Sequence, residues 1–134
     1  MQRKKLISLF VFAVFSMQSH YTAADDGVRW KMLSSTALQD IPGYSLTSVI
    51  VELKPGASVP ARQHEGFVFV YVISGRVLSQ LNQEAMTVYD AGDSWIENPG
   101  DRHSVTQNMG DTDGPKLLAV FVAPKGARLT LPSE

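Results

Sequence analysis

The sequence predicts an all-β fold, an antiparallel jelly-roll β-barrel, on the basis of three observations. Short runs of β-branched and aromatic residues recur roughly every eight to twelve residues. Clusters of Gly, Pro, Asn and Asp separate these runs, and no amphipathic helical pattern appears after residue 24. Such spacing is typical of sandwiches and barrels. A closed barrel is favoured because strands this apolar would otherwise expose open sheet edges.

The first 24 residues are predicted to lie outside the barrel, because they follow the order of a secretory signal peptide. Basic residues at positions 3–5 precede an apolar run over residues 6–17 and a small-x-small site at residues 22–24. The run has about twelve residues, whereas a membrane span needs about 20. We therefore expect cleavage before Asp25, export to the periplasm or medium, and one domain over residues 25–134 without a stable membrane anchor. An uncleaved N-terminal anchor is the alternative.

The composition of the predicted mature chain limits the classes of partner that it can bind. Removal of 24 of the 134 residues leaves 110, with nine Lys and Arg, thirteen Asp and Glu, and a formal net charge of −4. Such a balance argues against nucleic acid and against anionic lipid as partners. The sequence has no cysteine, so core packing has to stabilise the domain without disulfides. A homodimer would add core, and we expect one.

The first three predicted strands lie at residues 45–53, 66–73 and 76–81. The first follows the turn D-I-P-G-Y and ends at a Pro-Gly pair. The second, G-F-V-F-V-Y-V-I, is almost wholly aromatic or β-branched, as buried strands are. A Ser-Gly pair turns the chain into the third, which alternates imperfectly between polar and apolar residues.

Four further strands are predicted at residues 85–89, 94–97, 103–107 and 116–123. An Asn-Gln-Glu loop precedes the first, Ala-Gly-Asp separates the first from the second, and Asn-Pro-Gly-Asp separates the second from the third. A polar loop over residues 108–115 leads to the last strand, K-L-L-A-V-F-V-A. The glycines of these turns are expected to adopt positive φ.

Two segments, within about residues 45–122, resemble the two motifs of the cupin family, and the short stretch between them resembles its small single-domain bacterial members of the cupin-2 type. The first motif reads Gly, five residues, His-x-His, three or four residues, Glu, six residues, Gly. Gly56 and Gly75 match its glycines and His64 its second histidine. Arg62 stands in place of the first histidine and Val68 in place of the glutamate.

The second motif reads Gly, five residues, Pro-x-Gly, two residues, His, three residues, Asn. Gly92, Gly100 and His103 match it. Asn98 stands in place of the proline, with a proline one position later, and Gln107 stands in place of the asparagine. Two of the four metal ligands of the family are therefore retained.

The resemblance implies a barrel pocket lined by His64 and His103, which are the two histidines of the predicted mature chain. Imidazole binds divalent transition metals. Arg62 has no lone pair and cannot bind a cation. In the pocket it would instead bind a carboxylate or another anion. Alternatively it turns outward at the barrel mouth, and Gln63 rotates in with its amide oxygen.

Glu97 is the candidate replacement for the carboxylate that is missing at Val68. Strand alternation places Glu97 on the same face as Trp95, and an acidic residue in this rather apolar stretch needs a partner. With the two histidines it would complete a two-His-one-carboxylate set. The alternatives are a salt bridge to Arg102 or Arg62, or a solvated side chain.

Side-chain alternation extends the pocket prediction to neighbouring residues. Phe67, Phe69 and Tyr71 share one face of their strand, and the valines between them share the other. If Val68 occupies the glutamate position, the valines face the pocket, and the aromatic residues pack in the core or against a second sheet or subunit. Gln80 is a further pocket candidate.

The expected function is therefore that of an exported small cupin that binds a small molecule. One hypothesis is a metal-dependent enzyme, oxygenase- or isomerase-like, with Fe, Mn, Zn or Ni not distinguished by the sequence. A second is a non-catalytic periplasmic domain that has lost its metal and binds or senses an anion. A third is a structural homodimer without a ligand.

Overall fold

A computed structural model describes residues 27–110 and 114–132. The predicted signal peptide, residues 1–24, lies outside the described residues. In the part of the chain that is described, no helix is long and apolar enough to cross a membrane.

The described residues form eleven β-strands, all paired antiparallel. They are β1 (Val28–Ala37), β2 (Tyr44–Leu53), β3 (Ser58–Val59), β4 (Arg62–Gln63), β5 (Phe67–Ser74), β6 (Arg76–Leu81), β7 (Thr87–Asp90), β8 (Ser94–Glu97), β9 (Arg102–Asn108), β10 (Lys116–Pro124) and β11 (Leu131–Pro132).

Two sheets build the barrel, which confirms the predicted all-β antiparallel fold. The five-stranded sheet has the order β1-β2-β10-β5-β8. The six-stranded sheet has the order β11-β4-β9-β6-β7, with β3 also paired to β9. Apart from the consecutive pairs β1–β2 and β6–β7, neighbouring strands are not consecutive in the sequence, as in a jelly roll. Buried valines, leucines and alanines of the two sheets form the core together with Trp95 and Phe121.

All seven predicted strands are present, with ends that shift by at most two residues. Strand β1 and the two-residue strands β3, β4 and β11 were not predicted from the sequence. Strand β1 is exposed along nearly its whole length and pairs with β2 alone among the described strands. Its residues therefore lack the alternation between buried and exposed positions on which strand prediction depends.

The two faces of β5 differ as predicted. Val68, Val70 and Val72 are buried in the barrel. On the opposite side lies what we call the outer apolar face, formed by exposed residues of β5 and β8 and half-buried residues of β10. Its members are Phe67, Phe69, Tyr71, Ile73, Ile96, Leu118 and Val120.

Turn glycines fix the short connections between strands. Gly75, Gly92 and Gly100 have φ angles of 76°, 96° and 83°, as expected for these turns. At Gly75 a Cβ atom would also lie 2.8 Å from Pro115 Cα, so the tight β5–β6 turn excludes any larger residue. This turn leads from the five-stranded sheet into the six-stranded sheet, and so brings the two sheets face to face around the site.

Candidate metal centre

Strand pairing brings the predicted site residues together from both sheets. Arg62 on β4 is the cross-strand neighbour of His103 on β9. Glu97 on β8 is the cross-strand neighbour of Val68 on β5. Paired residues point to the same side of a sheet, so the carboxylate of Glu97 enters the barrel beside the position that the family motif assigns to glutamate.

A small cavity lies at the centre of this group, with a volume of about 20 Å³. A cavity needs roughly 10–15 Å³ of such volume to hold one water molecule. In this conformation the space therefore has room for about one ion or water molecule. Its walls are formed by Trp30, Val51, Val59, Arg62, His64, Val68, Val70, Trp95, Glu97, His103, Thr106, Leu117, Ala119 and Phe121.

His64 is oriented by the backbone. Its Nδ1 is hydrogen-bonded to the carbonyl oxygen of Leu129, and a carbonyl oxygen only accepts, so Nδ1 donates. The other ring nitrogen, Nε2, lies 3.2 Å from Oε2 of Glu97. In neutral imidazole that nitrogen carries a lone pair. Two acceptors therefore face each other across a buried gap.

His103 is held on both sides of its ring. Its Nε2 lies 2.8 Å from Ser79 Oγ and 2.9 Å from Thr106 Oγ1. Its Nδ1 lies 2.9 Å from Glu97 Oε1, and Arg62 Nη2 donates to the same Nδ1 at 3.0 Å. Burial lowers the pKa of His103, the contact with Glu97 raises it, and the charge of Arg62 lowers it, with a net decrease that favours the neutral ring.

Glu97 connects the two histidines. Trp95 Nε1 donates to its Oε1 at 3.0 Å, whereas Oε2 accepts no hydrogen bond from the described residues. Burial raises the pKa of this carboxyl group, but the contacts with His103 and His64 and the hydrogen bond from Trp95 outweigh burial and hold the pKa well below its usual range. The described residues within ion-pair distance are the two histidines, rather than Arg62 or Arg102.

Arg62 points into the barrel and is 8% exposed. Its Nη1 donates to Thr106 Oγ1 at 3.1 Å and to the carbonyl oxygen of Pro60 at 3.5 Å. Among the described residues, its Nε has no hydrogen-bond partner. Burial lowers the pKa of Arg62 to about 10, although Glu97 raises it, so the guanidinium stays charged at neutral pH.

The arrangement fits a metal ion. His64, Glu97 and His103 each offer one donor atom, and these atoms lie within 4.8 Å of one another. Bonds of 2.0–2.1 Å at right angles place adjacent ligand atoms about 3 Å apart. The distance from His103 Nδ1 to Glu97 Oε1 is 2.9 Å and that from His64 Nε2 to Glu97 Oε2 is 3.2 Å, so each carboxylate oxygen lies at such a distance from one histidine. The distal nitrogen of each histidine is held by a carbonyl or hydroxyl oxygen, as is usual for metal-binding histidines.

Two predicted pocket residues lie elsewhere. Because Arg62 and His64 point inward, the intervening Gln63 points away from the cavity and is half-buried. Gln80 points away because Ser79 points in, and its amide nitrogen donates to the carbonyl oxygen of Glu84 at 2.8 Å. Of the four residues predicted to line the pocket, Arg62 and Val68 line this cavity and Gln63 and Gln80 do not.

Several contributors to the site were missed by the sequence analysis. Ser79 and Thr106 contact His103, and the Leu129 carbonyl contacts His64. Alternation along β6 from the buried Val77 could have identified Ser79. No local pattern indicates Leu129, because its contact spans 65 positions of the sequence.

Comparison with known proteins agrees with this architecture. The family profile described as cupin domain matches residues 49–121. KdgF from Halomonas sp. is 20% identical, with a TM-score of 0.61 over 78% of this chain and 86% of that one. An uncharacterized protein with a double-stranded β-helix domain from Klebsiella pneumoniae is 22% identical, with a TM-score of 0.63 over 92% and 100%.

A cupin 2 domain-containing protein from Halorhodospira halophila is 18% identical, with a TM-score of 0.64 over 86% of this chain and 76% of that one. No curated protein sequence matches the chain. At these identities the three structures share its fold, and the residues of the site have to be judged from their own geometry.

Proposed function

Because this chain belongs to the cupin domain family, we propose that it binds one divalent transition-metal ion through His64, Glu97 and His103 and acts on a small molecule. The ligand set of two imidazoles and one carboxylate suits Fe, Mn, Zn or Ni. When bound, the metal would polarise an oxygen of that molecule or activate a bound water, which suits oxygenase- or isomerase-like chemistry.

A single observation carries the proposal, namely the pair formed by His64 Nε2 and Glu97 Oε2. The Leu129 carbonyl fixes the donating nitrogen of His64, so a lone pair faces a carboxylate oxygen at 3.2 Å. Two buried acceptors in this position repel each other unless a cation, either a proton or a metal ion, lies between them. His103 Nδ1, on the other side of Glu97, favours the metal ion because it supplies a third donor atom.

The chain's own residues prepare the site in two further ways. Val68, Val70 and Phe121 exclude bulk water from the cavity, which strengthens electrostatic interactions inside it. Trp95 donates to Glu97 Oε1, which keeps the carboxylate in place between the histidines.

A second candidate is a metal-free domain that binds an anion. The buried guanidinium of Arg62, with its unpaired Nε, favours this alternative. The two candidates make opposite predictions for metal content.

Metal analysis of the protein expressed with its own leader and without a His tag distinguishes them. We expect about one equivalent of a transition metal per chain, and its loss in His64→Ala and His103→Ala. Glu52→Gln, which alters a partly exposed carboxylate that is paired with Lys116 and lies outside the site, is the matched control and should retain the metal. Wild-type protein that stays metal-free after exposure to Fe, Mn, Zn and Ni would contradict the proposal and favour anion binding.

The cellular location and the oligomeric state are part of the same proposal. The order of residues 1–24 supports export with cleavage before Asp25, and N-terminal sequencing of protein from the extracytoplasmic fraction tests this. An intact Met1 on the cytosolic protein would contradict export. The outer apolar face supports a homodimer, because Phe67, Phe69 and Ile96 are about half exposed on an uncharged surface.

A further inference from the structure

The charge of the site bears on what else it binds. Of the described residues that line the cavity, Arg62 and Glu97 carry formal charge beside the two histidines. A histidine that binds a metal ion through a ring nitrogen does so in its neutral form, so these two charges balance and a divalent ion would leave a net charge of about +2 in a cavity walled by valine, tryptophan and phenylalanine. A buried excess charge of this size is costly unless an anion accompanies the metal.

The hydrogen bonds of Arg62 indicate where such an anion would bind. Nη1 is used by Thr106 and by the Pro60 carbonyl. Nη2 donates to His103 Nδ1, and that lone pair is no longer available once His103 binds a metal. Nε has no partner among the described residues. Metal binding therefore frees Nη2 next to an Nε that is already unpaired, and these two N–H groups form one edge of the guanidinium.

We propose that this edge of Arg62 binds a small carboxylate, so that carboxylate and metal bind cooperatively. The inference rests on the proposed metal site and names the class of small molecule that it takes. A guanidinium edge matches the two oxygens of a carboxylate in a bidentate pair. A spherical anion such as chloride offers a single acceptor atom to both donors, so it matches this edge less well than the two oxygens of a carboxylate do. The position of Arg62, which stands in place of a histidine ligand, thus becomes the specificity determinant of the site.

The test measures metal affinity with and without formate, the smallest carboxylate, at constant ionic strength set with chloride. Quenching of Trp95 fluorescence is a suitable signal because its indole is hydrogen-bonded to Glu97. In the wild type we expect formate to tighten metal binding by about tenfold, within the usual range of coupling between two ligands. Acetate should act in the same direction, and more weakly because the cavity is small.

Arg62→Met removes the guanidinium and keeps an unbranched side chain. We expect this variant to bind the metal more tightly without formate, since a competing cation is gone, and to lose the response to formate. Arg128→Met, which replaces an exposed arginine next to the segment that contacts His64, is the matched control and should respond as the wild type does. Arg62→Lys keeps the charge without the planar edge, so formate and chloride should become equivalent.

The outcomes separate the two proposals. Absence of metal binding in the wild type would refute the metal site itself. Metal binding that formate does not alter would refute the carboxylate site and leave the metal site standing. An undiminished formate response in Arg62→Met, or in Arg62→Lys if the methionine variant does not fold, would also refute the role of Arg62.

Discussion

The two faces of β5 show how one strand serves two purposes. The inward face carries Val68, Val70 and Val72, which are at most 5% exposed, whereas the outward face carries the larger Phe69, which is 41% exposed. The larger apolar residues therefore lie outside. Short side chains inside leave room for Glu97 and the two histidines. Large side chains outside form a surface that is more apolar than an isolated domain needs.

The largest effect is expected from Glu97→Gln, which removes the negative charge on the inner side. We expect metal affinity to fall by at least about 100-fold, the upper range for groups that merely support a ligand. The free energy of unfolding should fall by about 3 kcal/mol, because Arg62 is left buried without a counter-charge. Calorimetric metal titration and urea unfolding measure these effects. Unchanged metal affinity would exclude Glu97 as a ligand.

The same carboxylate predicts a dependence of stability on pH. Burial raises the pKa of Glu97, but its contacts with His103 and His64 and the hydrogen bond from Trp95 outweigh burial and hold the pKa below its ordinary value of 4.5. The folded state therefore binds this proton less readily than the unfolded state does. The contribution is fully present above pH 4.5 and is lost as the pH falls below that value. In urea unfolding, Glu97→Gln should show a shallower loss of stability in acid than the wild type.

Smaller effects on the free energy of unfolding are expected when one residue on each face of β5 is replaced by alanine, which compares the two faces directly. Val72→Ala should lower the free energy of unfolding by about 2 kcal/mol, because it removes two buried methyl groups and leaves a cavity. Phe69→Ala, although it removes far more atoms, should lower the free energy of unfolding of the monomer by no more than Val72→Ala does, because the Phe69 side chain is already 41% exposed. Urea unfolding at low protein concentration measures both. A larger loss for Phe69→Ala would show that the outer face is part of the core.

The smallest effect on the stability of the monomer is expected when a polar residue is introduced into the outer apolar face. Phe69→Asn should weaken self-association while metal content stays unchanged, since the ring lies on the far side of the sheet from the site. Sedimentation velocity over a range of concentrations measures this, with Tyr44→Asn, an exposed aromatic residue outside that face, as the control. A wild-type monomer at micromolar concentration would refute the homodimer proposal.

The sequence predicted the fold because alternation and turn residues repeat in nearly every strand. His64, His103 and Glu97 were identified as site candidates from motif spacing and strand phase, and the structure places their side chains together. The strand phase at Gln63 and Gln80 stayed open in the sequence, because neither stretch alternates regularly, and in the structure neither residue lines the cavity. The direction of Arg62 could not be predicted, because an inward guanidinium needs partners on β9, far away in the sequence.

The cross-strand pairing of Val68 with Glu97 has a consequence for how such chains are classified. A motif is read along the chain, and by that reading the carboxylate of this barrel is absent. The interior of a barrel is instead shared between adjacent strands, so a functional group can change strands and still reach the same point in space. In barrels whose sequence motif is incomplete, a search for ligand residues should therefore include the cross-strand neighbour of each motif position. An exchange of residues between two cross-strand partners, as in Val68→Glu combined with Glu97→Val, would then count as a move of the carboxylate to another strand and not as the loss of the site.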